Sequence, residues 1–432
     1  MLGYPAVRRA WPLHSRILVG MIAGALLGLV ADALWGGAPW LAGFITWVTE
    51  PVGRIFLRLI FMVVIPLVVS ALVLGVAEIG DVRRLGRVGL RTLLYTVVLS
   101  AVSVLLGVGL ANLIRPGEGM SPDTRQELLD VMGKTQPSLK APPPPKAGLQ
   151  ILLDLIPENP VDAMARAFQG EMLAVMVFAL IFGIALTRVE RSTAEPLLRW
   201  LEALLAAAMA VIAFAMRLAP YGVGAILFTL TARFGIDILK PLALYMGTVI
   251  LGLALHQFGT YPLVLRVFAG LSPRFFFARM REVMLTAFST SSSNATLPTT
   301  LRVAQEGLGI PRPIASFVLT LGSTLNQNGT ALYEGITVLF LAQFFGVHLS
   351  LGGQVTVVLL SILAGVGTAG VPGGSLPLVA ALLVTVGVPY EGIGIIYGVD
   401  RLLDMCRTVL NVTGDVVAAA CVARAEQNSP TS

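Results

Sequence analysis

Charged residues are scarce in this sequence, and their scarcity excludes an ordinary water-soluble fold. Asp, Glu, Lys and Arg make up only 12% of the 432 residues, about half of the roughly 25% that is typical of soluble globular domains. Hydrophobic residues make up 56% of the chain, and its mean hydropathy is +0.83. Because so few charges cannot solvate the surface of a protein of this length, we expect the lipid bilayer to surround most of it.

Cysteine and histidine are scarcer still. The two cysteines, Cys406 and Cys421, lie in one apolar segment, which excludes a disulfide framework. The three histidines are scattered and form no zinc signature. A Walker A sequence is also missing, so we do not expect ATP to drive the protein directly.

Basic residues give the chain a net charge of +6, but they form short groups beside apolar runs rather than a nucleic-acid-binding patch. This is the positive-inside pattern, which places the N-terminus in the cytoplasm. With eight crossings the C-terminus is cytoplasmic too, and the short termini favour a prokaryotic inner membrane. The arginines concerned are Arg8, Arg9 and Arg16 before the first run, and Arg83, Arg84, Arg87 and Arg91 between the second and third.

Apolar runs of about 20 residues, the length that crosses a bilayer, recur along the chain. They lie near 17–36, 52–78, 88–114, 149–188, 197–219, 221–235 joined with 238–268, 313–347 and 392–423. A polar stretch, 115–148, follows the third run and contains four consecutive prolines. After three crossings this stretch is predicted to be an extracellular loop.

Two further segments have polar tips between short apolar arms. Residues 272–309 contain STSSSNATLPTT, and residues 355–387 contain GVGTAGVPGGSLP. Each arm has about a dozen residues, too few to cross the bilayer, and such tips are tolerated at membrane depth only inside protein or a wet cavity. We therefore predict two re-entrant hairpins, a pairing that points to a transporter's binding site.

The last helix carries a polar face within an apolar sequence. At 100° per residue, six polar side chains fall within about 100° of arc, and ionisable groups at membrane depth should face a site or a partner. A surface-lying amphipathic helix would be rich in Lys and Arg, whereas this face has three acids and one clustered arginine. The six are Asp400, Asp404, Arg407, Thr408, Asn411 and Asp415.

These charges predict a ligand. Arg407 offers a planar fork to a carboxylate, Asp404 can pair an ammonium group, and Asp415 with Asn411 offers hard oxygen ligands to a small cation. Three acids against Arg407 sum to about −2, and an acidic amino acid adds −1. Cations must therefore bind with the substrate, which predicts coupled symport.

A second polar signature, TLNQNGTALYEGI at 324–336, interrupts another apolar helix. Asn326, Asn328 and Thr330, with Gly329, are expected to break backbone hydrogen bonding and free carbonyls for an ion. The alternatives are a plain helix kink or, outside the membrane, a glycosylation site at Asn328.

Four motifs follow one another along the chain: SSSNATLP, NQNGTALYEG, GTAGVPGG and VDRLLDMCRTVLNVTGD. With these motifs in this order, the chain resembles the dicarboxylate/amino acid:cation symporter family, which includes glutamate and aspartate transporters. The resemblance implies an all-α polytopic membrane protein with eight transmembrane helices, two re-entrant hairpins, inverted repeats and an elevator-type mechanism in a homotrimer. It implies scaffold helices 1–2 and transport helix 3 in 1–114, an extracellular loop in 115–148, scaffold helices 4–5 in 149–235, helix 6 in 236–270 and the transport core in 271–432.

By motif, the resemblance implies that Arg407 holds the side-chain carboxylate of the substrate and Asp404 its ammonium group. Asn411, Thr408 and Ser293 would surround the main-chain carboxylate, with Thr330, Val371 and Ser375 nearby. One sodium ion would bind Asp415 with oxygens near Asn326, Gly322 and Asn411, and a second would bind around Thr324.

The chain departs from the family pattern at several positions. Gln327 and Asn328 replace the Met and Asp of N-M-D-G-T, the motif of family members with a sodium site in the middle of the seventh helix. The same site draws on the third helix, where Thr96 and Leu99 stand in place of a Tyr and a Thr and only Ser100 is kept. Glu334 stands where a residue linked to proton transport occurs. The arginine that neighbours the substrate aspartate is absent, with Ser291 and Met405 in its places; Arg401 could compensate. We therefore expect fewer sodium ions per substrate than in sodium-coupled archaeal relatives, and a proton on Glu334. The alternative for Glu334 is a hydrogen bond to a neighbouring hairpin.

Three rival functions remain. A C4-dicarboxylate symporter of the same fold would not need the acid at Asp404. An intramembrane aspartyl protease could use Asp400 and Asp415, but 15 residues of helix separate them by about 22 Å, too far for a catalytic pair. A passive channel would not concentrate its solute. We expect a transporter rather than an enzyme.

Overall fold

A computed structural model describes residues 13–82, 87–118, 156–167, 171–367 and 375–427. Within these ranges the chain is helical and contains no β-strand. The first half comprises α1 Leu13–Trp35, α2 Pro39–Phe44, α3 Glu50–Phe61, α4 Val64–Val82, α5 Arg87–Ile114, α6 Pro160–Ala165, α7 Met172–Leu186, α8 Arg191–Phe234, α9 Leu239–Leu255 and α10 Tyr261–Val264. The second comprises α11 Pro273–Thr290, α12 Ser293–Arg302, α13 Arg312–Leu325, α14 Asn328–Phe345, α15 Leu351–Gly367, α16 Leu376–Thr385 and α17 Ile393–Gln427.

Five helical stretches among the described residues are long and apolar enough to cross a bilayer. They are Ser15–Trp35, Pro39–Ala77, Arg87–Ile114, Arg191–Ala269 and Val399–Gln427, and shorter apolar helices lie at Ala174–Leu186 and Leu351–Gly365. An all-helical, membrane-embedded protein is therefore confirmed. The count of eight crossings stays a prediction.

The end of helix α8 differs from the boundary that the sequence predicts. The run 221–235 was grouped with 238–268, but α8 continues for 44 residues through Pro196 and Pro220 and so joins 221–235 to the preceding run. Neighbouring helices compensate for the hydrogen bond that a proline removes from a membrane helix. The break comes instead at Gly235, whose φ of 61° favours glycine.

The helices α1 and α8 pack with their backbones in direct contact. Gly20, Gly24 and Gly28 repeat at every fourth position of α1, which places them on one face. A Cβ atom built on Gly20 would lie 2.1 Å from the carbonyl oxygen of Pro220, and one built on Gly24 would lie 2.1 Å from that of Gly224. Small residues at this spacing allow close helix packing in membranes.

The first predicted hairpin consists of α11 and α12, which pack against each other and meet at Ser291 and Ser292. Ser291 has a φ of 51°, and the Ser292 hydroxyl caps α12 by accepting from the backbone N–H of Ala295 at 3.2 Å. α11 has 18 residues rather than about a dozen, and its last two, Ser289 and Thr290, belong to the predicted polar tip. Their hydroxyls donate to backbone carbonyls one turn earlier, so these polar groups are satisfied within the helix.

The second predicted hairpin has α15 and α16 as its arms, and its tip, 368–374, lies outside the described residues. The helix that follows it, α17, packs against α5, α8, α9, α11, α12, α13 and α14. All six side chains of its polar face are at most 8% exposed. A surface-lying amphipathic helix is thus excluded, and the polar face of α17 is directed into protein.

Candidate functional site

The break between α13 and α14 forms one wall of the candidate site. Asn326 and Gln327 have non-helical backbone angles, so the interruption expected from the sequence is confirmed. The side chain of Asn411 on α17 spans the break. Its Oδ1 accepts from the backbone N–H of Gly329 at 2.7 Å, and its Nδ2 donates to the side chains of Gln327 and Thr330. Asn411 thereby fixes α17 against the break.

The guanidinium of Arg407 lies at the centre of the polar face and is buried. Its Nη2 is 2.8 Å from Asp404 Oδ1 and 3.3 Å from Asp400 Oδ1. Its Cζ lies 3.8 Å from the centroid of the Tyr333 ring, a cation–π distance. Its Nε and Nη1 have no hydrogen-bond partner among the described residues. These two donors are available to the acceptor oxygens of an anionic ligand.

A second arginine changes the charge balance calculated from the sequence. Arg401 is 9% exposed, and its Nη1 lies 3.3 Å from Asp404 Oδ2. The cluster therefore contains two acids and two arginines and is close to neutral. Counting Arg401 changes the sum for the whole polar face from about −2 to about −1, and the remaining negative charge belongs to Asp415, which lies outside the cluster. Helical spacing alone did not show that the long Arg401 side chain turns toward Asp404.

The remaining substrate-site candidates that the structure describes are buried. Ser293 begins α12, and Ser375 precedes α16, with its hydroxyl unpartnered among the described residues. The Thr408 hydroxyl donates to the backbone oxygen of Asp404 at 2.8 Å, which occupies its proton within α17. Val371 lies outside the described residues.

Asp415 lies apart from the arginines. Its Oδ1 accepts from Asn326 Nδ2 at 2.9 Å, and a Cβ built on Gly322 would lie 2.6 Å from the same oxygen. Asn326 Oδ1 is buried and unpartnered among the described residues. A carboxylate beside an unused amide oxygen is a donor set that suits a hard cation such as sodium. Thr324, the candidate for a second ion, is half-buried at the end of α13.

Asn328 lies in a closed hydrogen-bond network. Its Oδ1 accepts from the Ser100 hydroxyl at 2.8 Å, and its Nδ2 donates to the Tyr261 hydroxyl at 3.0 Å. Tyr261 in turn donates to the backbone oxygen of Leu410 at 3.1 Å. The neighbouring Leu99 is buried and contributes no oxygen. This network is neutral, and its members already satisfy one another.

Glu334 is fully buried on α14, and neither of its carboxyl oxygens has a hydrogen-bond partner among the described residues. An isolated ionised carboxylate is costly in such surroundings.

Comparison with known proteins shows the family of this chain. A profile of the sodium:dicarboxylate symporter family matches residues 13–425. The chain belongs to this family. Its members are symporters in membranes rather than enzymes, as expected from the sequence.

Curated relatives cover nearly the whole symporter. A proton/sodium-glutamate symport protein of Bacillus subtilis (strain 168) is 36% identical over 96% of this chain and 92% of its own length. A proton/glutamate-aspartate symporter of Escherichia coli (strain K12) is 35% identical over 96% and 93%. A C4-dicarboxylate transport protein of Anaeromyxobacter sp. (strain K) is 33% identical over 97% and 91%.

Sequence reasoning missed Tyr333, which stacks on Arg407, and Tyr261, which links Asn328 to α17. Tyr333 adjoins Glu334 in a motif that the sequence analysis had marked, so its place there was a usable signal. Tyr261 lies 67 residues before its partner Asn328, and nothing in the local sequence indicates the pairing.

Proposed function

We propose that this symporter couples the uptake of acidic amino acids, aspartate or glutamate, to a cation gradient. The observation that carries the proposal is the buried guanidinium of Arg407, with two donors unpartnered among the described residues and an acid, Asp404, beside it. A dicarboxylic amino acid supplies a carboxylate for the donors and an ammonium group for the acid. The substrates named in two of the relatives support this choice.

In the proposed complex, Arg407 binds the side-chain carboxylate and Asp404 the ammonium group. Asn411 and Ser293 lie near the main-chain carboxylate. Thr408 contributes through its hydroxyl oxygen, since its proton is used within α17. Thr330, Val371 and Ser375 complete the surroundings.

The coupling ions are assigned to carboxyls outside the arginine cluster. Asp415, with Asn326, Gly322 and Asn411, binds sodium, and a second sodium ion binds near Thr324. Glu334 carries a proton. The neutral network around Asn328 supports a loss of the further sodium site, because the Ser100, Asn328 and Tyr261 groups already hydrogen-bond to one another.

The transport core, 271–432, moves as an elevator against a scaffold, and three copies form a homotrimer in the plasma membrane with both termini in the cytoplasm. The family membership and the interrupted helices support this part of the proposal. The mass of the purified protein in detergent, corrected for bound detergent, tests the trimer.

Uptake of radiolabelled aspartate into liposomes tests the function, with sodium and proton gradients imposed separately. Accumulation that collapses with an ionophore is expected of a coupled carrier. Uptake that only equilibrates aspartate would indicate a passive channel. Uptake of succinate without aspartate would favour the C4-dicarboxylate function.

A further inference from the structure

Both carboxylate oxygens of Asp404 lie beside arginine side chains. Arg407 Nη2 is 2.8 Å from Asp404 Oδ1, and Arg401 Nη1 is 3.3 Å from Asp404 Oδ2. All three side chains are at most 11% exposed. The acid assigned to the ammonium group is therefore already paired with cations in this structure.

The two guanidinium groups retain donors that could bind a ligand. Arg401 Nε, Arg407 Nε and Arg407 Nη1 are buried without a hydrogen-bond partner among the described residues. Together with Asp400 and Asp404, the two arginines bring the formal charge of the cluster to zero. A neutral pocket with two arginines does not need a positive group on its ligand to balance its own charge.

We propose that Arg401 is a specificity-determining residue that, by pairing with Asp404, lets the pocket accept C4-dicarboxylates as well as acidic amino acids. The inference rests on the proposed function, because it concerns the same substrate pocket. It adds a second substrate class to that function and assigns the choice between the classes to one side chain.

The physical reason is the cost of leaving a buried carboxylate without a partner. A dicarboxylate such as succinate brings no ammonium group. If Asp404 depended on the substrate for a counter-charge, succinate would leave the acid incompletely compensated, at a large cost. Arg401 supplies that charge within the protein. The ammonium group of an amino acid can still contact Asp404 Oδ2, which gives aspartate an advantage over succinate. Because that group must compete with Arg401 for the oxygen, the advantage is too small to exclude succinate from the pocket.

Competition between the two substrates tests the inference in proteoliposomes that contain the full chain. The KM for aspartate and the inhibition constant of succinate are measured for the wild type, Arg401→Gln and Arg401→Lys. Arg424→Gln, at an exposed arginine of the same helix, is the matched control. The thermal stability of each variant is measured alongside, and Arg401→Lys keeps the charge if Arg401→Gln does not fold.

We expect succinate to inhibit and to be transported by the wild type. Arg401→Gln should raise the ratio of succinate inhibition constant to aspartate KM by about tenfold or more, the effect of losing one charge-assisted contact. Arg401→Lys should restore most of the wild-type ratio, and Arg424→Gln should leave it unchanged. A merely structural role would weaken both substrates equally.

Aspartate uptake that succinate neither inhibits nor replaces in the wild type would overturn this inference and leave the proposed function intact. An unchanged ratio in Arg401→Gln would also overturn it. Absence of aspartate uptake in the wild type, under either gradient, would overturn the proposed function and the inference together.

Discussion

At the scale of single residues, the proposed substrate pocket is centred on the buried guanidinium of Arg407, which has unused hydrogen-bond donors. Arg407 is 1% exposed and has two nitrogens without partners among the described residues. Unsatisfied donors at such depth cost about 1–3 kcal/mol each. The structure therefore favours a ligand that supplies acceptors at Arg407, and two substitutions test the roles of the charges.

Replacing Arg407 should remove the selectivity for acidic substrates. In Arg407→Cys, aspartate affinity should fall at least about tenfold, because a charge-assisted contact is worth about 1.5–3 kcal/mol. Uptake of neutral amino acids such as serine should rise relative to aspartate. Equilibrium binding and competitive uptake measure both effects, with Arg424→Cys as the control on the same helix. An aspartate affinity equal to that of the wild type would remove Arg407 from the binding site.

Replacing Asp404 should act on the ammonium group. Asp404→Asn keeps the shape of the side chain but loses its charge, so aspartate and glutamate should weaken by about tenfold or more, while succinate should weaken less. Inhibition constants measured on the same preparation give the comparison. Equal losses for both classes would show that Asp404 only supports its neighbouring arginines.

The glycine beside Asp415 tests the cation site. In Gly322→Ala the new Cβ would lie 2.6 Å from Asp415 Oδ1, so the carboxylate must move. Displacing a ligand in this way lowers metal affinity by about tenfold or more, and the sodium concentration for half-maximal uptake should rise accordingly. Gly247→Ala is the control, because nothing lies within 4 Å of a Cβ built there. An unchanged sodium dependence would place the ion elsewhere.

At the scale of helices, the positions of the breaks decide where polar groups can meet. The break at Asn326 and Gln327 could be predicted, because polar residues and a glycine interrupt an apolar run. The continuity of α8 through its prolines could not be predicted, because a proline breaks some helices and is tolerated in others, depending on what packs beside it. In α8 the neighbour of Pro220 is the glycine face of α1.

Adding a methyl group to the glycine face of α1 should destabilise the fold. A Cβ on Gly24 would lie 2.1 Å from the backbone oxygen of Gly224, so α1 and α8 must separate. Gly24→Ala should lower the free energy of unfolding by about 1–3 kcal/mol, as overpacking does. Thermal unfolding in detergent measures the loss. Gly109→Ala, in helix α5 with nothing within 4 Å of the new atom, should unfold as the wild type does; equal stability of both variants would contradict the contact.

At the scale of the whole molecule, we expect the arrangement of charge to decide which ions are coupled to transport. The arginine cluster balances its own acids, whereas Asp415 and Glu334 have no ion-pair partner among the described residues within 4.0 Å. Each of these two carboxyls therefore needs a small cation or a proton to be buried at low cost. The coupling ions are expected at these two positions rather than in the substrate pocket.

Reversal potentials in liposomes test the number and kind of coupling ions. We expect fewer sodium ions per aspartate than in family members with an acid at position 328, together with a response to a pH gradient. Glu334→Gln should abolish the pH response and leave sodium-driven exchange in place, because glutamine cannot carry the proton. The exposed Glu306→Gln is the control. If the protein takes up as many sodium ions per aspartate as those family members and does not respond to a pH gradient, the loss of a sodium site and the proton on Glu334 are both refuted.

The membrane class, the helical fold, the break between α13 and α14 and the six polar positions of α17 could all be predicted from the amino-acid sequence. These features follow from composition and from the period of a single helix, which are local properties. Only the tertiary structure decided that Arg401 pairs with Asp404, that Tyr333 lies on Arg407 and that Tyr261 joins Asn328. Such contacts depend on side-chain rotamers and on how helices far apart in sequence pack, and helical period contains neither.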